Sequence, residues 1–431
     1  MQATLTSPPS PGKSWYEAQY DALPDTRPRF AKLEQDITCD VAIIGGGFTG
    51  LNCAWHTAQF GVNTVLIDGA HFGDGASGRN GGQLGTGQRQ WVEDLEKHYG
   101  FERAKALFDL SEQAKLHLIH FANHHDIDFQ QGHLSVIHKK HFIKSYRQHQ
   151  ENMRRFGYNQ ISFMNEKETQ ERLGSKRYYG GLRDHGTGHI NPLKLIVELT
   201  KQASKAGAHL YENTSALRIN KTAKGFVIET AKGTITAERV VIASNAYGPM
   251  LDKSIKSHII PIRSYIGTTP PLPKDTPILP GFESVDDSRF VVRYFRKTPD
   301  NRLLFGGAES YRDAIPDNVE AKVCAQIYEV YPELANVKLS HVWGGSVGIT
   351  VQRMPYIREL APGLIYSGGY SGHGIMLAPY MGRLIADHIV NKGEDWLIMK
   401  DLKISPFPGG KFLRNGLLFL GMNWFALKDK L

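Results

Sequence analysis

Residues 40–50 read Asp40-Val41-Ala42-Ile43-Ile44-Gly45-Gly46-Gly47-Phe48-Thr49-Gly50. The apolar run before Gly45 is typical of a buried parallel strand, and the segment from Leu51 to Phe60 predicts a helix. Residues 62–67 predict a second strand, which ends on Asp68. We therefore interpret residues 40–68 as the strand–turn–helix–strand unit of a dinucleotide site.

Each part of this unit has a physical role. Gly45 allows the tight turn, Gly47 lets the backbone approach a pyrophosphate, and Gly50 lets the helix lie close to the sheet. The helix N-terminus offers free N–H groups to the phosphates, and Asp68 is expected to bind a ribose hydroxyl. A glycine-rich turn in an ordinary βαβ unit is the alternative. At this point the cofactor could be either NAD(P) or FAD.

A second glycine-rich loop decides between these cofactors. It reads Gly73-Asp74-Gly75-Ala76-Ser77-Gly78-Arg79-Asn80-Gly81-Gly82-Gln83-Leu84. Because glycine lets the backbone pass close to a ligand, this loop indicates a larger and more extended ligand than NAD. A flexible surface turn is the alternative interpretation.

A third glycine-rich segment lies near the C-terminus. Residues 363–369 predict a strand, Tyr370-Ser371-Gly372-His373-Gly374-Ile375-Met376 follows, and a helix is expected from about Ala378 to Val390. A helix N-terminus at this place would stabilise a ligand of negative charge.

Together these segments resemble the D-amino-acid-oxidase-like family of FAD-dependent amine oxidoreductases. Residues 75–83, GASGRNGGQ, are similar to that family's second flavin loop, and residues 240–248 to another strand and turn of its flavin domain. The resemblance runs from about Ile37 to Ile389. It implies an α/β fold in which a Rossmann-type FAD-binding domain is interleaved with an α+β substrate domain built on an antiparallel sheet.

The resemblance also implies the cofactor and the reaction. FAD would accept a hydride at N5 from the carbon next to an amine nitrogen, the imine would hydrolyse to an aldehyde, and O2 would be reduced to H2O2. The partners would be a small-molecule amine and O2. The expected domain ranges are 1–35 for an N-terminal arm, 36–95, 165–257 and 343–395 for the flavin domain, 96–164 and 258–342 for the substrate domain, and 396–431 for a tail.

The resemblance assigns roles to individual residues. His373, Trp343 and Tyr265 are the catalytic candidates; His373 would hydrogen-bond the flavin or the amine, or else only shape its loop. No metal site is expected. The predicted cofactor-binding residues are Gly45, Gly47, Phe48, Thr49, Gly50, Asp68, Gly69, Ala76, Ser77, Arg79, Asn80, Gly81, Gly82, Gln83, Leu84, Ala216, Ala243, Asn245, Gly345, Gly372, His373, Gly374, Ile375 and Met376.

Two departures from the family bear on the substrate. Members that oxidise small amino acids carry arginines that would bind a substrate carboxylate, and here Val347 and Gly372 stand where those arginines are expected. A glycine-like or D-amino-acid substrate is therefore disfavoured. Segments such as Ser14-Trp15-Tyr16, Trp343-Gly344-Gly345 and residues 406–411 resemble the γ-glutamylputrescine oxidase branch, which acts in putrescine catabolism.

That branch implies a pocket for an amine and a glutamyl head group. The aromatic candidates for the pocket, which could equally be core residues, are Tyr265, Tyr294, Phe295 and Trp343. A basic residue for the head group would be Arg263, Arg293 or Arg302, and the sequence does not choose among them.

Two other functions remain open. One is a quinone-linked dehydrogenase of the same fold, whose apolar tail from Phe412 to Leu427 would lie on an anionic membrane surface; docking of that tail on its own domain is the alternative. The other is a non-catalytic flavoprotein that serves assembly or binding.

Composition fits an ordinary globular enzyme. The chain has 431 residues, 41% of them hydrophobic, and a net charge of +8. Its three cysteines are scattered, which indicates a reducing, cytoplasmic compartment. No apolar run is long enough for a transmembrane helix, and the basic region around residues 138–155 lacks the aromatic residues or motifs of a nucleic-acid site. Oligomeric state is left open. A single helix is expected over residues 91–125. Its histidines His117, His120 and His124 fall on one helix face, which is interpreted as a surface or half-buried face and not as a metal site.

Overall fold

The computed structural model describes residues 12–23, 27–248, 251–310 and 317–408. The apolar tail from Phe412 to Leu427, and residues 1–11 and 24–26 of the expected arm, lie outside these ranges. The helices are α1 Trp15–Asp21, α2 Phe48–Gln59, α3 Ala76–Arg79, α4 Val92–Tyr99, α5 Phe101–His124, α6 Ile143–Arg155, α7 Glu166–Leu173, α8 Pro192–Lys205, α9 Lys253–His258, α10 Val319–Val330, α11 Gly374–Ile389 and α12 Leu397–Lys400. The strands are β1 Ile37–Ile44, β2 Thr64–Ile67, β3 Gln130–Val136, β4 Ile161–Met164, β5 Gly181–His189, β6 His209–Tyr211, β7 Arg218–Thr222, β8 Gly225–Glu229, β9 Thr234–Ile242, β10 Ile260–Thr268, β11 Ser284–Asp287, β12 Tyr294–Lys297, β13 Leu303–Ser310, β14 His341–Ile349, β15 Tyr356–Ala361 and β16 Leu364–Gly368.

The first sheet is built around β1. Its strand order is β15-β16-β9-β1-β2-β6, with β8 and then β7 branching from β9. β1 pairs in parallel with β2 on one side and with β9 on the other, so that Ala42 is opposite both Val65 and Val240. The apolar residues of β1 are buried because a parallel sheet is covered on both faces. The strand–helix–strand unit expected from residues 40–68 is therefore present.

The second sheet has the order β14-β10-β13-β12-β11-β3-β5-β4. All of its pairs are antiparallel except β11 with β3. A mostly parallel sheet beside a mostly antiparallel one confirms the predicted fold class. The second sheet includes β5 and β14. The expected domain ranges assign β5 and most of β14 to the flavin domain. The domain boundaries themselves stay a prediction.

Two local expectations have different outcomes. The helix expected to begin at Asn191-Pro192 is confirmed as α8, and the Asn191 side chain caps it by accepting hydrogen bonds from the N–H groups of Leu193 and Lys194. The single helix expected over residues 91–125 is wrong. The chain forms α4 and α5 instead, because Gly100 separates them with a φ of 78° that interrupts the helical path.

Close backbone contacts bring α2 against the sheet and α11 against α2. A Cβ atom built on Gly50 would lie 1.9 Å from the carbonyl oxygen of Gly45, and one on Gly382 would lie 2.2 Å from that of Thr49. Only glycine fits at such contacts. Since α2 begins at Phe48 and α11 at Gly374, this packing places two helix N-termini side by side.

Replacing Gly382 by alanine tests this contact. The new methyl group would collide with the Thr49 carbonyl, and this overpacking should outweigh the gain in helix propensity, for a net loss on the order of 1 kcal/mol or more. Thermal unfolding of the FAD-free protein measures the loss. Gly393→Ala is the control, because its Cβ would meet only the Asp387 Cβ at 3.7 Å. Equal melting temperatures for both variants would contradict this account of the packing.

Candidate active site

A cavity of about 640 Å³ opens at the N-termini of α2 and α11. Its wall combines the three glycine-rich segments with residues from the second sheet. The predicted cofactor-binding residues that line it are Gly47, Phe48, Thr49, Ala76, Ser77, Asn80, Gly81, Gly82, Gln83, Leu84, Ala243, Asn245, Gly372, His373, Gly374 and Ile375.

The first two glycine-rich segments contact each other at the start of α2. The Phe48 N–H donates to the Ser77 hydroxyl at 3.1 Å. The N-cap residue of the helix, Gly47, has no side chain that could cap it. A Cβ atom on Gly47 would lie 2.8 Å from the Ser77 oxygen. Apart from this bond of the Phe48 N–H, the helix end lies in a cradle that a side chain would fill, which suits a pyrophosphate.

Asp68 lies beside the same turn. Its carboxylate accepts hydrogen bonds from the N–H groups of Gly46 at 2.6 Å and Ala70 at 2.8 Å. Burial raises the pKa of Asp68 to about 6, although both hydrogen bonds oppose the rise. A ribose hydroxyl that donates to this carboxylate would offset part of that burial. Asp68 itself is not part of the cavity lining, and its role at a ribose stays a prediction.

The remaining predicted cofactor residues lie outside the lining of the cavity. Gly45 and Gly50 form the tight turn and the helix contact, and Gly69 follows Asp68. Met376 and Ala216 are buried, and Gly345 would place a Cβ 3.6 Å from the Cα of Ala76. Binding of the cofactor by these residues stays a prediction.

Arg79 and Trp343 anchor the second glycine-rich loop to other parts of the fold. The Arg79 guanidinium is buried and donates to the Glu17 carboxylate of α1 at 2.9 Å. The Trp343 indole N–H donates to the Arg79 carbonyl oxygen at 2.8 Å. Trp343 is fully buried and is absent from the cavity lining, and Tyr265 is likewise 1% exposed and absent from it. The structure therefore gives both catalytic candidates a place in the core.

Asn80 and Asn245 fix the loops that carry them. The Asn80 amide donates to the carbonyl oxygens of Ala76 and Ser77, and its oxygen accepts from the Gly82 N–H at 2.8 Å. The Asn245 side-chain oxygen accepts from the Gly369 N–H at 2.8 Å. Through these hydrogen bonds, the Asn80 amide and the Asn245 side-chain oxygen hold the cavity wall in shape.

His373 is the catalytic candidate that does line the cavity. Its Nε2 lies 3.0 Å from the Gly87 carbonyl oxygen, which can only accept, so Nε2 carries the proton. Burial, together with the charge of Arg89, lowers the pKa of His373 to about 4. A Cβ atom on Gly85 would lie 1.9 Å from the ring, so only glycine leaves room for it. The imidazole is therefore neutral and held in one orientation near neutral pH.

Sequence reasoning missed a charged group on the opposite sheet. His133 lies 3.4 Å from Asp286 Oδ1, and the Ser135 hydroxyl donates to the same oxygen at 2.6 Å. Burial opposes ionisation of both partners, but their mutual attraction outweighs it, raising the pKa of His133 and lowering that of Asp286. Both line the cavity with Arg89. No motif surrounds these residues, and only the pairing of β3 with β11 brings His133 and Asp286 together.

The arginines on the cavity wall also differ from those expected. Arg263, Arg293 and Arg302 do not line it, and Arg293 and Arg302 pair with Glu329 and Asp300. The arginines that do line it are Arg89, Arg289 and Arg353. Arg289 pairs with Asp287, and the Arg353 guanidinium lies 5.5 Å from the centre of the Phe290 ring.

Of the four aromatic residues expected around the amine, Tyr294 is the one that lines the cavity. Phe295, by contrast, is buried in the core. Val347 and Gly372, the two positions where arginines are expected in relatives that oxidise small amino acids, both line it. The described part of the chain contains no cluster of three or more potential metal ligands, and none of its helices is long and apolar enough to cross a membrane.

A Rossmann-type sheet, an uncapped helix end above a glycine cradle and a second helix N-terminus at one cavity define a flavin-dependent oxidoreductase. The chain belongs to the family of FAD-dependent oxidoreductases named DAO, whose model matches residues 40–388. It is thus an FAD-dependent oxidoreductase of a family that acts on amines and amino acids.

Relatives and solved structures agree with this assignment. The chain is 53% identical to the probable oxidoreductase OrdL of Rhizobium meliloti (strain 1021), across 99% of this chain and 100% of that protein. It is 34% identical to γ-glutamylputrescine oxidoreductase of Escherichia coli (strain K12), across 93% and 95% of the two chains. The crystal structure of glycine oxidase from Geobacillus kaustophilus shares the fold, with a TM-score of 0.74 at 22% identity, covering 85% of this chain and 99% of that one.

Replacing Gly47 by valine should abolish FAD binding, because the side chain would enter the space of the pyrophosphate. FAD content after desalting measures the effect. The companion variants are Ser77→Ala alone and Gly47→Val with Ser77→Ala, since the latter removes the clash within the protein. Full FAD occupancy in the double variant would show that Gly47 serves packing and not the cofactor.

Replacing His373 by alanine should slow flavin reduction by about 10-fold or more while changing FAD affinity much less, if the imidazole contacts the reacting groups. Anaerobic stopped-flow reduction and FAD titration measure the two effects. Because the pKa of His373 is about 4, any rise of activity at alkaline pH should persist in the variant. Equal reduction rates in the two proteins would leave His373 a residue that only shapes its loop.

Proposed function

We propose that the protein oxidises the free primary amine end of γ-glutamylputrescine to an aldehyde, with O2 as the electron acceptor. The observation that carries the substrate choice is the presence of Val347 and Gly372 on the cavity wall. Without arginines at these positions, the carboxylate of a small amino acid lacks the bidentate partner that would hold its α-carbon at the reacting place. The similarity to γ-glutamylputrescine oxidoreductase supports the same substrate.

We further propose that the residues predicted for FAD bind it as the walls of the cavity suggest. The start of α2 would hold the pyrophosphate, Asp68 the ribose, and the start of α11 would lie beside the flavin ring. When bound, the flavin supplies the hydride acceptor for C–N oxidation. The protein itself then has to orient the amine and exclude water.

The protein must also take the amine in its neutral form. A protonated nitrogen has no lone pair to support hydride loss, and a free primary amine has a pKa of about 10.4. Apolar contacts from Val347 and the ring of Tyr294 would lower the pKa of the bound amine by withholding water from the ammonium. The neutral imidazole of His373 adds no positive charge to repel the amine.

The amines that reduce the bound flavin test this proposal. Under anaerobic conditions γ-glutamylputrescine should reduce the flavin faster than putrescine, and both should reduce it faster than glycine or D-alanine. Glycine and D-alanine would need an arginine to bind their carboxylate, and Val347 and Gly372 do not supply one. Bleaching of the visible flavin absorbance gives the rates, and H2O2 release on admitting air identifies O2 as acceptor.

Each other outcome points to a specific alternative. Faster reduction by glycine or D-alanine would contradict the argument from Val347 and Gly372. Reduction without reoxidation by O2, but with reoxidation by a quinone, would identify a dehydrogenase. No reduction by any amine would favour a non-catalytic flavoprotein.

A further inference from the structure

Asp286 presents an open carboxylate oxygen on the cavity wall. The Ser135 hydroxyl and His133 both contact Oδ1, and no described residue donates a hydrogen bond to Oδ2. The side chain keeps 40% of its surface accessible although it lies deep in the fold, because it faces the cavity. His133 is itself fixed by a 2.8 Å hydrogen bond to the Ser284 hydroxyl. A rigidly held carboxylate with one free oxygen is suited to binding an ammonium group.

Arg89 is the complementary group. It lines the same cavity and is half-buried. Among the described residues no carboxylate lies within 4.0 Å of its guanidinium, and no acceptor forms a hydrogen bond with it. Arg289, by contrast, pairs with Asp287 and Glu329. A half-buried guanidinium left without a partner is suited to binding a carboxylate in bidentate geometry.

The two charges are close but do not neutralise each other. The charge of Arg89 acts on the pKa of Asp286 and of His373, so the guanidinium lies among these groups. The separation of Arg89 and Asp286 nevertheless exceeds salt-bridge distance. The cavity therefore offers a carboxylate that is held on one oxygen by His133 and Ser135, and a guanidinium that lies more than 4.0 Å from it, and such a pair complements a zwitterion.

We propose that Asp286 and Arg89 together bind a zwitterionic α-amino-acid head group, with Asp286 holding its ammonium and Arg89 its carboxylate. This inference rests on the proposed function, and it names the residues that would distinguish a glutamylated amine from a bare diamine. The three arginines expected from the sequence are not needed for this role. Both residues act on the end of the substrate that does not react.

We call Asp286 and Arg89 together the clamp. Two truncated substrates test its two residues separately. Glutarylputrescine keeps the carboxylate and lacks the α-ammonium group, whereas 4-aminobutanoylputrescine keeps the ammonium and lacks the carboxylate. Arg89→Gln should raise KM for γ-glutamylputrescine and for glutarylputrescine by about 10- to 100-fold, the usual size of a charge-assisted hydrogen bond, and leave KM for 4-aminobutanoylputrescine nearly unchanged. Asp286→Asn should show the opposite selectivity.

The rate of flavin reduction at saturating amine should change little in either variant, since the reacting end is not touched. Arg353→Gln is the matched control: it also removes a positive charge from the cavity wall and should not distinguish among the three substrates. Visible flavin absorbance and circular dichroism of each variant establish that it is folded and loaded with FAD.

The outcomes separate this inference from the proposed function. Equal losses for all three substrates in Arg89→Gln, or the selective loss appearing in Arg353→Gln instead, would overturn the assignment of Arg89. An unselective effect of Asp286→Asn would overturn that of Asp286. If the wild-type flavin is not reduced by γ-glutamylputrescine at all, the proposed function itself is wrong, and the clamp as a substrate-binding device falls with it.

Discussion

The site depends on the contact between the backbones of α2 and α11. Gly382 allows α11 to approach the Thr49 carbonyl, and Gly50 allows α2 to approach the turn at Gly45. Because both helices begin at the cavity, these contacts place two positive helix ends around one ligand. A side chain at Gly382 would separate the helices, and one at Gly50 would push α2 away from the turn at Gly45. The electrostatics of the cofactor site therefore depend on backbone packing.

What could be predicted from the sequence follows from how local each interaction is. The turn from Gly45 to Gly50, the acid at Asp68 and the cap at Asn191 involve residues close in the chain, and their spacing predicts their structure. Val347 could be placed on the cavity wall only through resemblance to a family. β5 was missed because its glycines and polar residues give no clear alternation of apolar and polar positions.

The charged end of the cavity shows the limit of such reasoning. His133 is 151 positions before its hydrogen-bond partner Ser284, and Asp286 follows Ser284 closely in the chain. The two charged residues meet because β3 and β11 pair. The arginines suspected from the sequence were judged by residue type alone, and most prove to be committed to other carboxylates. Whether an arginine is free to bind a ligand depends on its neighbours in space, which a motif does not record.

The ion pair between Arg79 and Glu17 has a consequence for how the protein matures. It joins the second glycine-rich loop to α1, and the two paired residues are 62 positions apart in the chain. The same loop is held by Trp343, which is 264 residues further along the chain. Its final shape therefore depends on segments from both halves of the polypeptide, whose closure is slow relative to local structure. Firm retention of the cofactor should then require that the chain has been made at least as far as Trp343.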